Sequence, residues 1–402
     1  MAKAYHRSVP VLPVAVVSRR GAERLRAGHP WIYRSDVRAV EAKSGDLVSV
    51  ETERGRPLTW ALWSSTSQIA LRAVGADLDP SDETGWIRSR VEAAATYRDT
   101  LGIDSSAWRV VNAEADRLPG LIVDRYADET GVYLVLQTLC QGMDRRLPAI
   151  VEVLTGLFAP RGVLARNDPK VRRLEGLEER IDVLAGDIPD VVDVREGPFR
   201  IRANLREGQK TGLFLDQREN HLAAARYARG RALDAFTYHG GFALALASRA
   251  ESVLALDSSA AAVAAARENA LRNHLAAIEV REVNVFDELR ELEIARERFG
   301  TIVLDPPAFA KNKASLERAM AGYKEINLRA LKLLEPGGIL VTCSCSYHVS
   351  EALLLDIVTD ASRDAGATVT LLEKRMQSRD HPVLVGVPET FYLKCLVLRR
   401  VS

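Results

Sequence analysis

From Arg231 to the C-terminus the chain alternates short apolar runs with helix-forming ones. The apolar runs are ALDAF (232–236), SVLALD (252–257), IEVREV (278–283), TIVLD (301–305), GILVTC (338–343), TVTLL (368–372) and FYLKCLVL (391–398). Between the second and third lies AAVAAARENALRN (261–273), composed almost wholly of strong helix formers. Strand–helix alternation of this kind predicts an α/β region built on a parallel, doubly wound sheet. In such sheets ligands bind outside the carboxyl ends of the strands, so the residues that close each strand become the candidate site.

Upstream the pattern differs. A chain of 402 residues exceeds one ordinary core, and 47% apolar with 27% charged residues is globular composition. Residues 1–75 hold short strand-like stretches (VLPVAVVS, DLVSVETERG, RPLTWALW, QIALRAV) and predict a small barrel or open sheet. Residues 72–86, RAVGADLDPSDETGW, read as a linker, and residues 76–190 as a mixed, smaller α/β domain. Residues 191–402 form the third domain, opening with a hairpin that turns at Glu196–Pro198.

Lys+Arg 55 against Asp+Glu 54 leaves +1 overall, which says nothing about partners. Residues 1–40, however, carry eight Lys/Arg against Glu23 and Asp36, 8 − 2 = +6. Two readings stand: contact with a polyanion at that end, or a solvated Arg-rich face. Arg20 and Trp31, in the basic piece RRGAERLRAGHPWIYRSDV, suit phosphate contact and base stacking, although an aromatic in so small a domain also suits its core. No apolar run approaches the ~18 residues of a membrane span. Pro10 and Pro13 interrupt the only short apolar stretch near the N-terminus, so no signal peptide is expected. Four cysteines make no disulfide framework and point to a reducing cytoplasm.

Each strand end carries a suggestive residue. FTYHGGF places Gly240 and Gly241 before a helix N-terminus but lacks the GxGxxG cradle of a dinucleotide site. Asp257 ends the second strand, where a carboxylate can accept from both ribose hydroxyls, and Asn284 and Asp287 follow the third. A helix cap explains each carboxylate equally well. The fourth strand runs into VLDPPAF, where Pro306 and Pro307 end the ladder and stiffen the loop after Asp305. The fifth ends in VTCSCS. Cys343 is the last buried strand position and reads as a small hydrophobe, whereas Cys345 lies beyond the end on the ligand side. A redox pair prefers C-x-x-C, and zinc would need more ligands than Cys343, Cys345 and His348 supply. Cys140 and Cys395 sit in apolar strand runs and read as core.

The stretches GHPWIYRSDV, NAEADRLPGLIVDRY, GQKTGLFLDQREN, FTYHGGF, LDPPAFAKNK with GYKEIN behind it, and SCS are spread over nearly the whole chain. Through them it resembles the class I S-adenosylmethionine-dependent methyltransferases, and more closely the bacterial 23S rRNA (cytosine-5)-methyltransferases of the RlmI type. The resemblance implies an N-terminal PUA domain, a small central α/β domain and a C-terminal Rossmann-like catalytic domain. It places the cofactor on Phe236, Tyr238, Gly240, Gly241, Asp257, Asp287 and Asp305, the target base at Asp305–Pro307, and the nucleophile at Cys345. Lys311 and Lys313 are expected to hold nearby phosphates. Carbon 5 of cytosine has no lone pair, so a thiolate adding at carbon 6 would activate it while protonated Asp305 supports ring nitrogen 3. Other RNA cytosine-5 enzymes carry a second cysteine after the proline loop, where this chain has Ala308, so product release has no thiol in that loop. The implied partner is 23S rRNA or a large-subunit precursor, held by the N-terminal domain, with a homodimer among the options for assembly. The competing readings are a guanine-N methyltransferase on the same fold, a nicotinamide-dependent dehydrogenase and a non-catalytic RNA-binding protein.

Overall fold

The computed structural model describes residues 12–309 and 316–402. Contacts divide it into two compact units. One comprises residues up to Val194, Ala203–Leu213 and Asp380–Thr390; the other comprises Arg195–Arg202, Phe214–Arg379 and Phe391–Ser402. Two short segments from beyond residue 191, Ala203–Leu213 and Asp380–Thr390, thus group with the first unit.

The first unit contains two sheets. Strands β1 (Val14–Val17), β2 (Trp31–Tyr33), β3 (Val37–Val40), β4 (Leu47–Thr52), β5 (Pro57–Trp63) and β6 (Ile69–Gly75) join in the order β2-β6-β5-β4-β1-β3. Helix α1 (Arg19–Arg26) is the basic piece; Ser18 starts it by accepting from Gly21 N, and Gly21 and Ala22 are its buried positions. Helix α2 (Glu83–Asp99) leads to β7 (Ala107–Asn112), β8 (Leu121–Asp128), β9 (Gly131–Thr138), α3 (Gln141–Arg145), α4 (Leu147–Phe158), β10 (Gly162–Asn167) and β11 (Arg180–Gly186). These strands form a second sheet, β11-β10-β9-β8-β7, against which α2 and α4 bury Ile87, Val91, Ile150, Val153 and Leu154.

The polar stretch 72–86 is not a linker. Its first residues complete β6, and Asp82 caps α2 by accepting from Gly85 N at 2.8 Å, so the helix starts at Glu83. A capping Asp followed by Glu, Thr and Gly has loop composition, which hides the helix start in the sequence. Cys140 is buried, but as the residue before α3 rather than within a strand. The hairpin β12 (Val191–Glu196) and β13 (Phe199–Asn204) turns at Gly197–Pro198 and pairs only with itself.

The second unit is the doubly wound region. Its elements are α5 (Arg218–Tyr227), β14 (Arg231–Ala235), α6 (Gly241–Ala247), β15 (Ser252–Asp257), α7 (Ala260–Arg272), β16 (Ile278–Glu282), α8 (Val285–Ile294) and β17 (Phe299–Leu304), then α9 (Leu316–Leu333), β18 (Leu334–Ser344), α10 (Glu351–Asp364), β19 (Val369–Arg375) and β20 (Lys394–Arg400). The sheet order is β16-β15-β14-β17-β18-β20-β19. Tyr323, Ile326, Leu331, Leu354 and Val358 of α9 and α10 cover one face, and Ala224, Phe242, Val263 and Ala266 of α5, α6 and α7 the other.

The sheet is mixed, not parallel throughout. β20 runs antiparallel to both β18 and β19 and inserts between them. Between β19 and β20 the described residues hold only a short 3-10 turn (Pro388–Thr390) and no α-helix to carry the chain back across the sheet, so the next strand enters from the opposite end. Strand order reverses between β14 and β17, and the crevice at their carboxyl ends is where this fold binds ligands. Among the described residues no helix is long and apolar enough to cross a membrane.

Candidate active site

The loop after β14 is folded tightly. Phe236, Tyr238 and Gly240 have φ of 68°, 51° and 87°, so the chain doubles back twice before α6. Such angles are costly for Phe and Tyr and persist only where the surroundings impose them. Here Thr237 N donates to Leu256 O (2.9 Å), Gly240 N to Thr237 O (2.9 Å) and Tyr238 N to Asp257 Oδ2 (2.9 Å). Asp257 Oδ1 accepts from Ser259 N at 2.9 Å. Asp257 does not cap α7; Ser259 does, through Ala262 N. Likewise α8 is capped by Asn284, while Asp287 stands in its first turn, 68% exposed and 3.4 Å from Arg290. Phe236, Phe286 and Phe309 approach one another with ring centroids 5.8–6.4 Å apart, an apolar wall between the first loop and the D-P-P-x-F loop.

Beneath this loop lies a set of buried ionisable groups that the sequence reading missed. Asp234 is fully buried; its Oδ2 accepts from Thr237 Oγ1 (2.5 Å) and Ala243 N (2.9 Å), and burial pushes its pKa up to about 6. His221 Nδ1 and Glu196 Oε1 share a bond of 2.7 Å. Burial disfavours the charge on His221, yet Glu196, with Asp305 and Asp234 beyond it, holds the imidazole above its ordinary value. Burial, with His221 adding repulsion, drives His239 down to about 4.

His221 also packs against the glycine pair: a Cβ on Gly241 would lie 2.4 Å from His221 Cε1. Gly241→Ala is therefore expected to displace the imidazole from Glu196 and cost about 1–3 kcal/mol of stability, with weaker S-adenosylhomocysteine binding. Thermal melting and calorimetric titration check this; an unchanged melting temperature and affinity would show that the loop absorbs the methyl group.

Asp305 is the first residue beyond β17. Its N–H donates to Ala235 O (3.3 Å), and Oδ1 accepts from Gln217 Nε2 (2.8 Å). Burial pushes its pKa up to about 7; His221 opposes the rise, and Asp216 and Asp234 add to it. At neutral pH this carboxyl is thus close to half protonated. Pro306 is buried and Pro307 exposed.

Cys345 is the first residue beyond β18, the strand that pairs with β17 in parallel. Ser344 and Ser346 on either side of it are both tied to Tyr323 of α9, whose hydroxyl lies 2.9 Å from Ser344 Oγ and 3.0 Å from Ser346 Oγ. Tyr323 comes from the GYKEIN stretch, and its hydroxyl is pushed up to about 12 by burial, so it stays protonated. With both serines clamped on one side, the triplet has little freedom to slide or twist. Cys345 is also the one cysteine that is not buried. Cys343 stands opposite Cys395 across the strands; the hydrogen bond between the two free thiols, and burial, raise the Cys343 pKa well above the ordinary thiol value. Cys343 belongs to the core.

The structure thus gathers Phe236, Tyr238, Gly240, Gly241, Asp257, Asp287, Asp305, Pro306, Pro307 and Cys345 at the carboxyl ends of five adjacent parallel strands. Lys311 and Lys313 lie outside the described residues. In the first unit, Arg20 pairs with Asp36 (2.7 Å) while remaining 67% exposed, and Trp31 donates its indole N–H to Glu114 (2.9 Å).

Comparison with known proteins matches residues 15–74 to a PUA-like domain and residues 170–399 to an S-adenosylmethionine-dependent methyltransferase family. The ribosomal RNA large subunit methyltransferase I of Aeromonas hydrophila is 40% identical over 393 residues, 94% of this chain and 98% of that protein. Its counterpart in Tolumonas auensis is 39% identical over 383 residues, 93% of this chain and 96% of that protein. The chain belongs to the ribosomal RNA large subunit methyltransferase I family. A solved SAM-dependent methyltransferase from Streptococcus mutans shares the fold, with a TM-score of 0.80 at 17% identity over 96% of this chain and 99% of that one. A further methyltransferase structure, complexed with S-adenosylhomocysteine, matches with a TM-score of 0.80 at 18% identity over 96% of this chain and 99% of that one.

As in this family, the methyl donor is S-adenosylmethionine, and the residues present fit it. Asp257 makes no ion pair among the described residues and accepts only two backbone N–H groups, which leaves lone pairs for a ribose diol. The phenylalanine wall offers an adenine ring an apolar face, and the twice-reversed glycine loop lets the backbone approach closely.

Proposed function

We propose that the chain methylates carbon 5 of a cytosine in large-subunit (23S) ribosomal RNA through a transient bond to Cys345. The observation that carries this reading is the clamped S-C-S triplet. It presents a half-exposed thiol at the end of β18, one strand away from a carboxyl with a pKa near 7 at the end of β17. An enzyme that methylates a ring nitrogen or an exocyclic amine has no use for a thiol there, because those atoms carry their own lone pairs.

The thiolate of Cys345 adds to carbon 6, and the protonated Asp305 donates to ring nitrogen 3 as electron density moves onto it. Carbon 5, now enamine-like, is the nucleophile; S-adenosylmethionine supplies the methyl carbon as an electrophile on its sulfonium. A solvent base then takes the carbon-5 proton, the carbon–sulfur bond breaks as the ring double bond reforms and expels the thiolate, and ring nitrogen 3 returns its proton to Asp305. The Asp257 carboxylate would hold the donor's ribose, and Asp287 its adenine edge. Pro306 and Pro307 stiffen the loop beside the target base. A base within a folded RNA must be unstacked before it reaches this crevice. The PUA-like domain, with Arg20 and Trp31 on its basic segment, supports backbone contact with that RNA.

The test is mass mapping of ribosomal RNA from cells lacking the protein. One methyl group should be missing from one cytosine of the large-subunit RNA, and re-expression should restore it. A missing methyl on a guanine would transfer the reading to the guanine-N alternative, and an unchanged map would end it.

A further inference from the structure

Lys394 is the first residue of β20, within the apolar run FYLKCLVL, and lies opposite Ser344 in the antiparallel pairing with β18. It is 2% exposed. Its ammonium donates to the carbonyls of Ser346 (2.7 Å) and Tyr392 (2.9 Å). No carboxylate among the described residues forms an ion pair with it; the Tyr392 hydroxyl donates to Asp216 (2.7 Å). A buried cation held by two neutral acceptors is an expensive arrangement, since desolvation is only partly offset. Burial accordingly brings the amine down to about 8, and the one charge that works the other way is Cys345. The Tyr323 hydroxyl stays neutral and is bonded to Ser346, whose carbonyl accepts from Lys394.

We infer that Lys394 is the fixed cation that holds Cys345 as a thiolate, a positioning residue acting through the sulfur rather than on the RNA. Its two carbonyl bonds keep the ammonium beside the S-C-S triplet, and Ser346, which accepts one of them, is also gripped by Tyr323. A neighbouring ammonium favours the thiolate over the thiol, and the thiolate is the reactive form. The catalytic meaning of this pair rests on the cysteine route proposed above, but the pairing can be measured without any methyl transfer.

The experiment is alkylation of the full-length protein by iodoacetamide from pH 5.5 to 9, with the Cys345 peptide quantified by mass spectrometry. Lys394→Met, which keeps the stem and removes the charge, should move the profile to higher pH and slow labelling at pH 7 by about tenfold, the effect of one pKa unit. Thermal melting of the variant checks that it is folded under the labelling conditions. Superimposable profiles would overturn the inference.

A reciprocal measurement covers poor folding of that variant. In Cys345→Ser, Lys394 should react faster with an acylating reagent at pH 8, since loss of the thiolate favours the neutral amine; an unchanged rate overturns the pairing. The two failures are distinguishable. If Cys345 is not the nucleophile, Cys345→Ala keeps its turnover while the alkylation shift survives. If the pairing is wrong, the shift vanishes while Cys345→Ala is still inactive.

Discussion

Cys345→Ala is expected to abolish methyl transfer, by roughly 10⁴-fold or more, the scale of losing an obligatory nucleophile, while leaving S-adenosylhomocysteine affinity and melting temperature near those of the parent. The asymmetry follows from the site. The proposed ribose and adenine contacts, Asp257 and Asp287, close β15 and follow β16, three strands or more from the triplet. Its serines stay bonded to Tyr323 whatever residue stands between them. Cys345→Ser should be almost as inactive, because a hydroxyl is a far weaker nucleophile than a thiolate at neutral pH. An RNA carrying 5-fluorocytosine separates chemistry from binding. With fluorine in place of the departing proton, the parent should be trapped as a denaturant-stable protein–RNA adduct after transfer, and the alanine variant should not. Near-normal turnover by Cys345→Ala would remove the thiol route altogether.

Asp305→Asn is expected to change both the pH profile and the stability of the protein. The folded carboxyl has its pKa near 7, raised by burial and by Asp216 and Asp234, whereas an unfolded Asp titrates near its ordinary value of ~3.9. Between those two pH values the folded chain holds a proton that the unfolded chain has lost. Stability therefore falls as pH rises across this window, by about 1.4 kcal/mol per unit, and levels off above about 7. Asn removes that slope, so the variant should match the parent near pH 4 and be more stable by a few kcal/mol at pH 8. Asp234 adds its own window below about 6 in both proteins, which the comparison cancels. In catalysis the neutral acid is the useful form, and kcat/KM for RNA should fall as pH rises through about 7. Asn retains an N–H donor, so that falling limb should flatten at a lower maximum. A limb that persists in the variant would assign it to another group.

How legible was this in the chain? The run of strand ends at Phe236, Asp257, Asp287, Asp305 and Cys345 could be read directly, because alternation of apolar strands and helices dictates that strand carboxyl ends gather on one edge. That Cys343 would be buried in the strand and Cys345 lie beyond its end was also legible, from position relative to a strand end. What escaped is instructive. Asp234 and Lys394 each appear in the sequence as a lone charge inside an apolar strand, and that oddity is the signal that could have marked them. Their meaning depends on neighbours that the fold brings in from other elements: His221 and Asp305 around Asp234, or Ser346, 48 residues before Lys394, accepting from its ammonium. Only the first turn of helix α2 was hidden, for a local reason, since a capping Asp looks like loop.

By itself, then, the order of residues determined the α/β class, the glycine-bearing turn after the first strand, the stiff D-P-P loop and the position of Cys345 past a strand end, because each follows from periodicity or from the backbone limits of Gly and Pro. Only the tertiary structure decided that β20 inserts antiparallel beside β18, and so put an ammonium next to the S-C-S triplet. It also decided that Asp305 sits among other acids at low exposure. Strand direction after a long loop, and the protonation of a buried group, are set by what packs around them, and no local pattern carries that information.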